Sequence, residues 1–224
     1  MKNLVIAFCS LRPSHIDQKT NDFREFEYLI CLRQLIRMIP KNFDIQICDN
    51  TIDDANDISN VDLKLFLNKN NTFFTGSKNN IDTQNIGLGE LLMLYNSLKN
   101  ISLNEYNFIC YLTARRYFTC PYVFEKTNNL KKDALISNPD FLFLNGEYRI
   151  NPKKDLYNDM FFSMKAGHIF EYANFAYEII QKKIKPFKFN PLKKNTLGSE
   201  QILFKYIKNK NLSFEYLNWL GMIR

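Results

Sequence analysis

Apolar and polar positions alternate along this chain in a way that reads as strand, helix, strand from the first residues onward. Leu4 to Cys9 is an unbroken apolar run, as expected of a strand covered on both faces. The polar segment SLRPSHIDQKTND that follows reads as a long loop, ending in a helix cap at Asn21 or Asp22. From Phe23 to Ile39, apolar residues at 23, 26, 29, 30, 32, 35, 36 and 39 recur at helical spacing, and Pro40 ends the pattern. Phe43 to Cys48 predicts a second strand running into Asp49-Asn50. A strand, helix and strand of these lengths make a βαβ unit, and so predict a parallel sheet.

The pattern continues in the same style. Thr51 to Asn71 is polar and acidic, then helical through VDLKLFLNK, and Asn71 to Thr75 reads as a third strand. GSKNNIDTQN is a loop, and Gly87 and Gly89 open a helix, LGELLMLYNSLKN, with Leu88, Leu91, Leu92, Tyr95 and Leu98 on one face. Phe108 to Leu112 is the most hydrophobic strand and stops abruptly at Thr113-Ala114-Arg115-Arg116. Short strands are predicted at Ala134 to Ile136, Phe141 to Leu144 and Met160 to Met164, helices at Gly167 to Lys183 and Gly198 to Lys208, and a last strand at LSFEYL. No repeat and no linker divides the chain, so the expectation is a single α/β domain, a mainly parallel sheet flanked by helices.

Composition narrows this picture. At 224 residues and 46% hydrophobic, the chain can bury a full core without a metal or disulfide staple. Five cysteines, 9, 31, 48, 110 and 120, are widely spaced and all but Cys120 lie in apolar runs, as reduced core thiols do. With His15 and His168 the only histidines and no CxxC, a histidine- or cysteine-based metal site is not expected. The first residues lack a small-residue cleavage site, and no stretch nears the ~18 apolar residues of a membrane span, which predicts a cytoplasmic protein. The net charge of +7 favours anionic partners.

In a parallel α/β sheet, ligands bind at the carboxyl ends of the strands. The polar residues there are Ser10 and Arg12, Asp49 and Asn50, the Asn85-Gly87-Gly89-Glu90 turn, Thr113 to Arg116, and Asn158-Asp159. A carboxylate beyond a strand can accept hydrogen bonds from a base or ribose, and glycines at a helix start let a nucleotide approach the backbone. Plainer readings stand beside these: Asp-Asn after a strand is commonly a turn, and GLG is helix capping rather than a GxGxxG fingerprint.

Taken in order, the pieces resemble the GT-A class of nucleotide-sugar glycosyltransferases over roughly the first 120 residues. FDIQICDNTIDDAN is similar to that family's second strand, which implies that Asp49 contacts the donor base. NIGLGELLMLYNSL is similar to its glycine-containing loop and helix, and YNFICYLTARRYF stands where the family places a strand ending in an acidic metal-binding motif. This chain departs from the family there: Arg115 and Arg116 replace Asp-x-Asp. LTARRYF resembles a K-x-T-G-R-Y type segment of polysaccharide-building transferases without the acidic motif. The resemblance implies a nucleotide-sugar donor, a glycan or lipid-linked acceptor, no metal, and no cofactor beyond the nucleotide-sugar. Ser10, Arg12, Asp49, Asn85, Gly87, Gly89, Arg115 and Arg116 would bind the donor, the two arginines neutralising the leaving diphosphate.

An acceptor hydroxyl needs a general base. Asp159, just before MFFSM, and Glu200, at the start of a late helix, are the candidates, with Asp159 preferred. Each could equally be a cap, Glu200 complementing a helix dipole. On this reading residues 1–120 form the donor half and 121–224 the acceptor half. Lys182 to Lys194 interleaves cations with Phe187 and Phe189, a pattern that fits a peripheral membrane contact. Without an accompanying nucleic-acid motif, nucleic acid is not the expected partner. The alternative class is a non-catalytic basic α/β protein that binds nucleic acid or anionic membrane surfaces. A Rossmann-type methyltransferase is disfavoured, because no Gly-rich turn follows the first strand directly.

Overall fold

A computed structural model describes residues 1–13, 16–76, 86–137, 141–144, 147–150, 158–184, 198–218 and 220–223. The first part of the chain builds β1 (Lys2–Cys9), α1 (Gln18–Met38), β2 (Phe43–Asp49), α2 (Val61–Lys69) and β3 (Thr72–Phe74). Next come α3 (Ile86–Leu98), β4 (Tyr106–Thr113), β5 (Tyr117–Phe118), α4 (Tyr122–Asn128), β6 (Ala134–Ser137), β7 (Phe141–Leu144) and β8 (Glu147–Ile150). The chain closes with β9 (Asn158–Lys165), α5 (Ala166–Ile184), α6 (Ser199–Lys210), β10 (Phe214–Leu217) and β11 (Met222–Ile223).

Seven strands form one sheet in the order β10-β6-β9-β4-β1-β2-β3. All run parallel except β9, which is antiparallel to both neighbours, with Leu112 opposite Phe161 and Ile136 opposite Phe162. The expected single α/β domain with a mainly parallel sheet is therefore the observed architecture. The two-residue ribbon β5–β11 and the hairpin β7–β8 lie outside this sheet.

Alternation along β1 sends its side chains to two cores. Leu4, Ile6 and Phe8 face α3, α5 and α6, where rings continue from Phe8 to Tyr111 (4.4 Å) and from Tyr111 to Phe162 (4.6 Å, stacked). Val5, Ala7 and Cys9 face α1, α2 and α4. Cys9, Cys31, Cys48 and Cys110 are free and buried, and Cys120 is half-buried and free, as the sequence pattern predicts.

Two helical details differ from the sequence reading. The first helix starts at Gln18, several residues early, because Asp17 caps it: its carboxylate accepts from the Thr20 amide (3.0 Å) and hydroxyl (2.7 Å). The first turn is polar and exposed, so periodicity could not find it. The apolar positions of α1 also split into two stripes. Leu29, Leu32 and Leu35 are buried, whereas Phe23, Phe26 and Ile30 face outward at 62%, 51% and 41% exposure.

The amino edge of the sheet is clamped by Asp133. Its carboxylate accepts from Lys165 Nζ (2.8 Å), the Ser213 amide (3.0 Å) and the Ser213 hydroxyl (2.6 Å), tying β9 to the chain entering β10. The bond from Lys165 and those from Ser213 hold this carboxyl well below the usual carboxylate range.

Candidate functional site

Parallel strands bring the carboxyl ends of β1, β2 and β4 to one edge. Cys9 lies opposite Asp49, Phe8 lies opposite Thr113, and the Ala114 amide donates to the Phe8 carbonyl at 2.8 Å. Because β9 runs the other way, its first residues reach the same edge: Asn158 lies opposite Ser137, and Phe161 opposite Leu112. Asp159 is thus placed at this edge by its backbone, although its side chain falls outside the described ones. Glu200 arrives from α6. The antiparallel packing of α6 on α5, with Lys210 Nζ 2.8 Å from Glu171 and the Tyr206 hydroxyl 2.9 Å from the His168 carbonyl, points the first turn of α6 to the carboxyl edge.

At the ends of β1 and β2 the polar groups serve one another. Asp49 is buried, and four donors converge on its carboxylate: the Leu11 amide (2.8 Å), the Thr51 amide (2.7 Å), the Thr51 hydroxyl (2.8 Å) and the Ile52 amide (3.1 Å). Burial pushes its pKa up to about 6 against the pull of those hydrogen bonds. The Thr51 hydroxyl in turn accepts from the Arg12 amide at 2.9 Å. Ser10 donates its hydroxyl to Asn50 Oδ1 (3.1 Å), and its amide donates to the Tyr28 hydroxyl (2.9 Å).

Arg12 likewise faces inward. Its Nη1 lies 3.2 Å from the fully buried Glu25 and donates to the Asp57 carbonyl (2.7 Å) and the Ser59 hydroxyl (2.8 Å), while Nη2 bonds Gln18. Glu25 also accepts from the Ser59 and Asn60 amides, at 3.3 and 2.7 Å. Arg12 and Asp49, both expected at the donor site, therefore form a latch that fastens the β1 and β2 loops together.

Gly76 completes this side of the edge. Its φ of +78° is a left-handed conformation that favours glycine, and a Cβ built there would press on the end of the Asp53 side chain. Its amide caps the Ile52 carbonyl at 3.2 Å.

The β4 end has the opposite character. Among the described residues Arg115 has one ion pair, a long one to Glu27 at 3.9 Å, and Arg116 is half-buried beside it. Arg24 of α1 joins them, a residue the sequence reading missed. Its Nη2 donates to the Ser10 carbonyl at 2.6 Å, fixing the guanidinium over the end of β1. Its Nε–H is buried and donates to no partner among the described groups. Burial lowers the Arg24 pKa from its usual value, Tyr28 opposes that, and the neighbouring Arg115 lowers it further. Three arginines thus gather here, with Glu27 and Asp49 the carboxylates that act on Arg24. The signal for Arg24 is the polar start of α1's inward stripe, where Asn21 and Glu25 precede Tyr28, Leu32 and Leu35.

Gly87 and Gly89 lie in the first turns of α3, and Glu90 one residue later accepts from the Tyr111 hydroxyl at 2.9 Å. Asn85 and most of the Lys182 to Lys194 stretch fall outside the described residues. Among the described residues, no three His, Cys, Asp or Glu side chains gather as a metal site requires.

No family model and no curated protein matches the sequence. Solved structures do match its fold. A protein described as a nucleotide-diphospho-sugar transferase, from Desulfovibrio desulfuricans, aligns over 97% of this chain and 80% of its own, with a TM-score of 0.54 and 12% identity. The 4-diphosphocytidyl-2C-methyl-D-erythritol synthase of Anaerococcus prevotii aligns over 96% of this chain and 86% of its own (TM-score 0.54, 15% identity). Mouse xyloside xylosyltransferase 1 aligns over 97% and 84% respectively (TM-score 0.52, 11% identity). The fold is that of the nucleotide-sugar transferase-like α/β proteins.

Proposed function

We propose that this chain is a glycosyltransferase that takes a sugar from a nucleotide-sugar and delivers it to a glycan or lipid-linked acceptor. The observation that carries this reading is the group of Arg24, Arg115 and Arg116 at the carboxyl end of the central strand, in a fold shared with sugar-nucleotide enzymes. In single-displacement transfer the acceptor oxygen bonds to the anomeric carbon as the bond from that carbon to the diphosphate breaks. The hydroxyl proton passes to a carboxylate, for which Asp159 and Glu200 are the candidates, and the diphosphate leaves with an extra negative charge. Guanidinium groups fixed beforehand stabilise that charge without reorganising. Their chemistry suits an anion and does not fit a divalent cation, so the reading is of transfer without a bound metal. Gly87 and Gly89 allow a nucleotide near the start of α3.

Melting shifts with UDP, GDP and CMP test this. Stabilisation by one of them that persists in EDTA supports the reading, and no response to any of them overturns it. A second reading, nucleotidyl transfer, is favoured by the erythritol synthase match alone. The two separate by product: a glycosyltransferase releases a nucleoside phosphate from a nucleotide-sugar, whereas a nucleotidyltransferase releases pyrophosphate from a nucleoside triphosphate.

A further inference from the structure

A helix that covers a sheet needs one apolar stripe. α1 carries two. The inward one, Asn21, Glu25, Tyr28, Leu32 and Leu35, packs on β1 and β2. The outward one repeats the same alternating four- and three-residue spacing through Lys19, Phe23, Phe26, Ile30, Arg33 and Arg37, and every member is exposed. α2 lies beside α1 over the same face of the sheet, and turns out Val61 and Leu65 at 68% and 53% exposure. Five of the seven large apolar side chains exposed among the described residues therefore sit on these two helices.

We propose that the outward face of α1 and α2 docks on a lipid bilayer that carries anionic headgroups. The stripe has an apolar centre between Lys19 at one end and Arg33 and Arg37 at the other, and no carboxylate lies on it. Apolar rings enter the acyl boundary while the long cationic stems at the ends reach headgroup phosphates. Of the carboxylates beside it, Asp22 is engaged by Gln18 at 2.8 Å and lies 3.9 Å from Arg12, Glu27 lies 3.9 Å from Arg115, and Asp62 is exposed beside Val61 on α2. Charge also argues against a second copy of this chain as occupant. A two-fold contact of α1 with itself would set cations against cations whether the helices ran parallel or antiparallel. No helix among the described residues is long and apolar enough to cross a membrane, so the contact is one of lying on the surface.

This inference does not rest on the transferase reading, and its test contains no nucleotide. The full chain is sedimented with phosphatidylcholine vesicles, with and without phosphatidylglycerol. Binding is expected with the anionic vesicles, weakening as salt is raised. It should fall by about tenfold or more in Phe23→Ser/Phe26→Ser/Ile30→Ser, and similarly in Arg33→Gln/Arg37→Gln. Lys205→Gln/Lys208→Gln, which removes two cations from α6 on the opposite face of the sheet, should leave it unchanged. In a Phe26→Trp variant, anionic vesicles should blue-shift the emission and brominated acyl chains should quench it, a readout that needs no destabilising change. Absent vesicle binding, binding insensitive to the apolar triple variant, or equal loss in the α6 variant overturns the proposal. So does a concentration-dependent dimer that the triple variant converts to monomer without any lipid binding.

Discussion

The two halves of the sheet's carboxyl edge carry similar residue types and use them differently. At β1 and β2, Asp49, Arg12, Ser10 and Thr51 consume one another's hydrogen-bonding capacity: four donors on one carboxylate, and a buried glutamate under one guanidinium. At β4, among the described residues, Arg115 keeps one long ion pair and Arg24 a buried Nε–H without a hydrogen-bond partner. On the proposed reading the β4 end serves the ligand, while the β1 and β2 ends serve as a structural joint. The contrast makes mutations on the two sides separable, those of the first side read in stability and those of the second in ligand response.

The largest stability effect is expected at Asp49. Replacing it with alanine strands three buried amides and a hydroxyl, at a cost of about 2–4 kcal/mol, measurable as a lowered denaturant midpoint. A fully stable Asp49→Ala that had merely lost donor affinity would break the contrast and assign Asp49 to the donor. The carboxyl also titrates. Its folded pKa of about 6 stands above the ordinary 3.8, so the folded state holds the proton more tightly. That contribution to stability is complete below about pH 4 and is lost as pH rises through about 6. Urea melts of wild type and Asp49→Asn across this window should therefore converge at the acid end in slope, with the variant's profile the flatter.

Arg12→Ala comes next, at about 2 kcal/mol, because it leaves the buried Glu25 with only two amide donors. Adding Glu25→Gln should recover part of that loss, and a double-mutant cycle showing no coupling would dissolve the latch. The smallest stability effect belongs to Arg24→Ala and Arg115→Ala, about 1 kcal/mol or less, since relief of the crowding between cations offsets the lost bond to the Ser10 carbonyl. Their effect should appear instead as loss of the melting shift with nucleoside diphosphate, and as turnover reduced by about a hundredfold. A stability loss as large as that of Arg12→Ala would place them in the joint rather than the site.

Much of the fold was legible because β1 is apolar on both faces, β4 carries the most hydrophobic run, β2 alternates apolar and polar positions, and α3 and α5 are strongly periodic. What escaped was short or depended on distant partners. β5, β11 and α4 are too brief for periodicity, and the start of α1 rests on Asp17 as a cap. Asp49 was visible as a carboxylate after a strand, but the Leu11 amide that engages it comes from another loop, which no local pattern reveals. Arg24 hid in an amphipathic helix, although the polar residues heading its inward stripe marked where α1 leaves the core. The periodicity of α1 located its apolar residues without saying which stripe met the sheet.

The reversed strand β9 also bears on how the chain can be dissected. It wedges between β4 and β6, so the central strand of the first half finds its neighbour in residues from the second. A cut near residue 120 would turn β4 into a bare sheet edge, with Ile109, Tyr111 and Leu112 stripped of their partners. Residues 1–120 and 121–224 are therefore not exchangeable modules: grafting the first onto another scaffold would have to carry β9 with it.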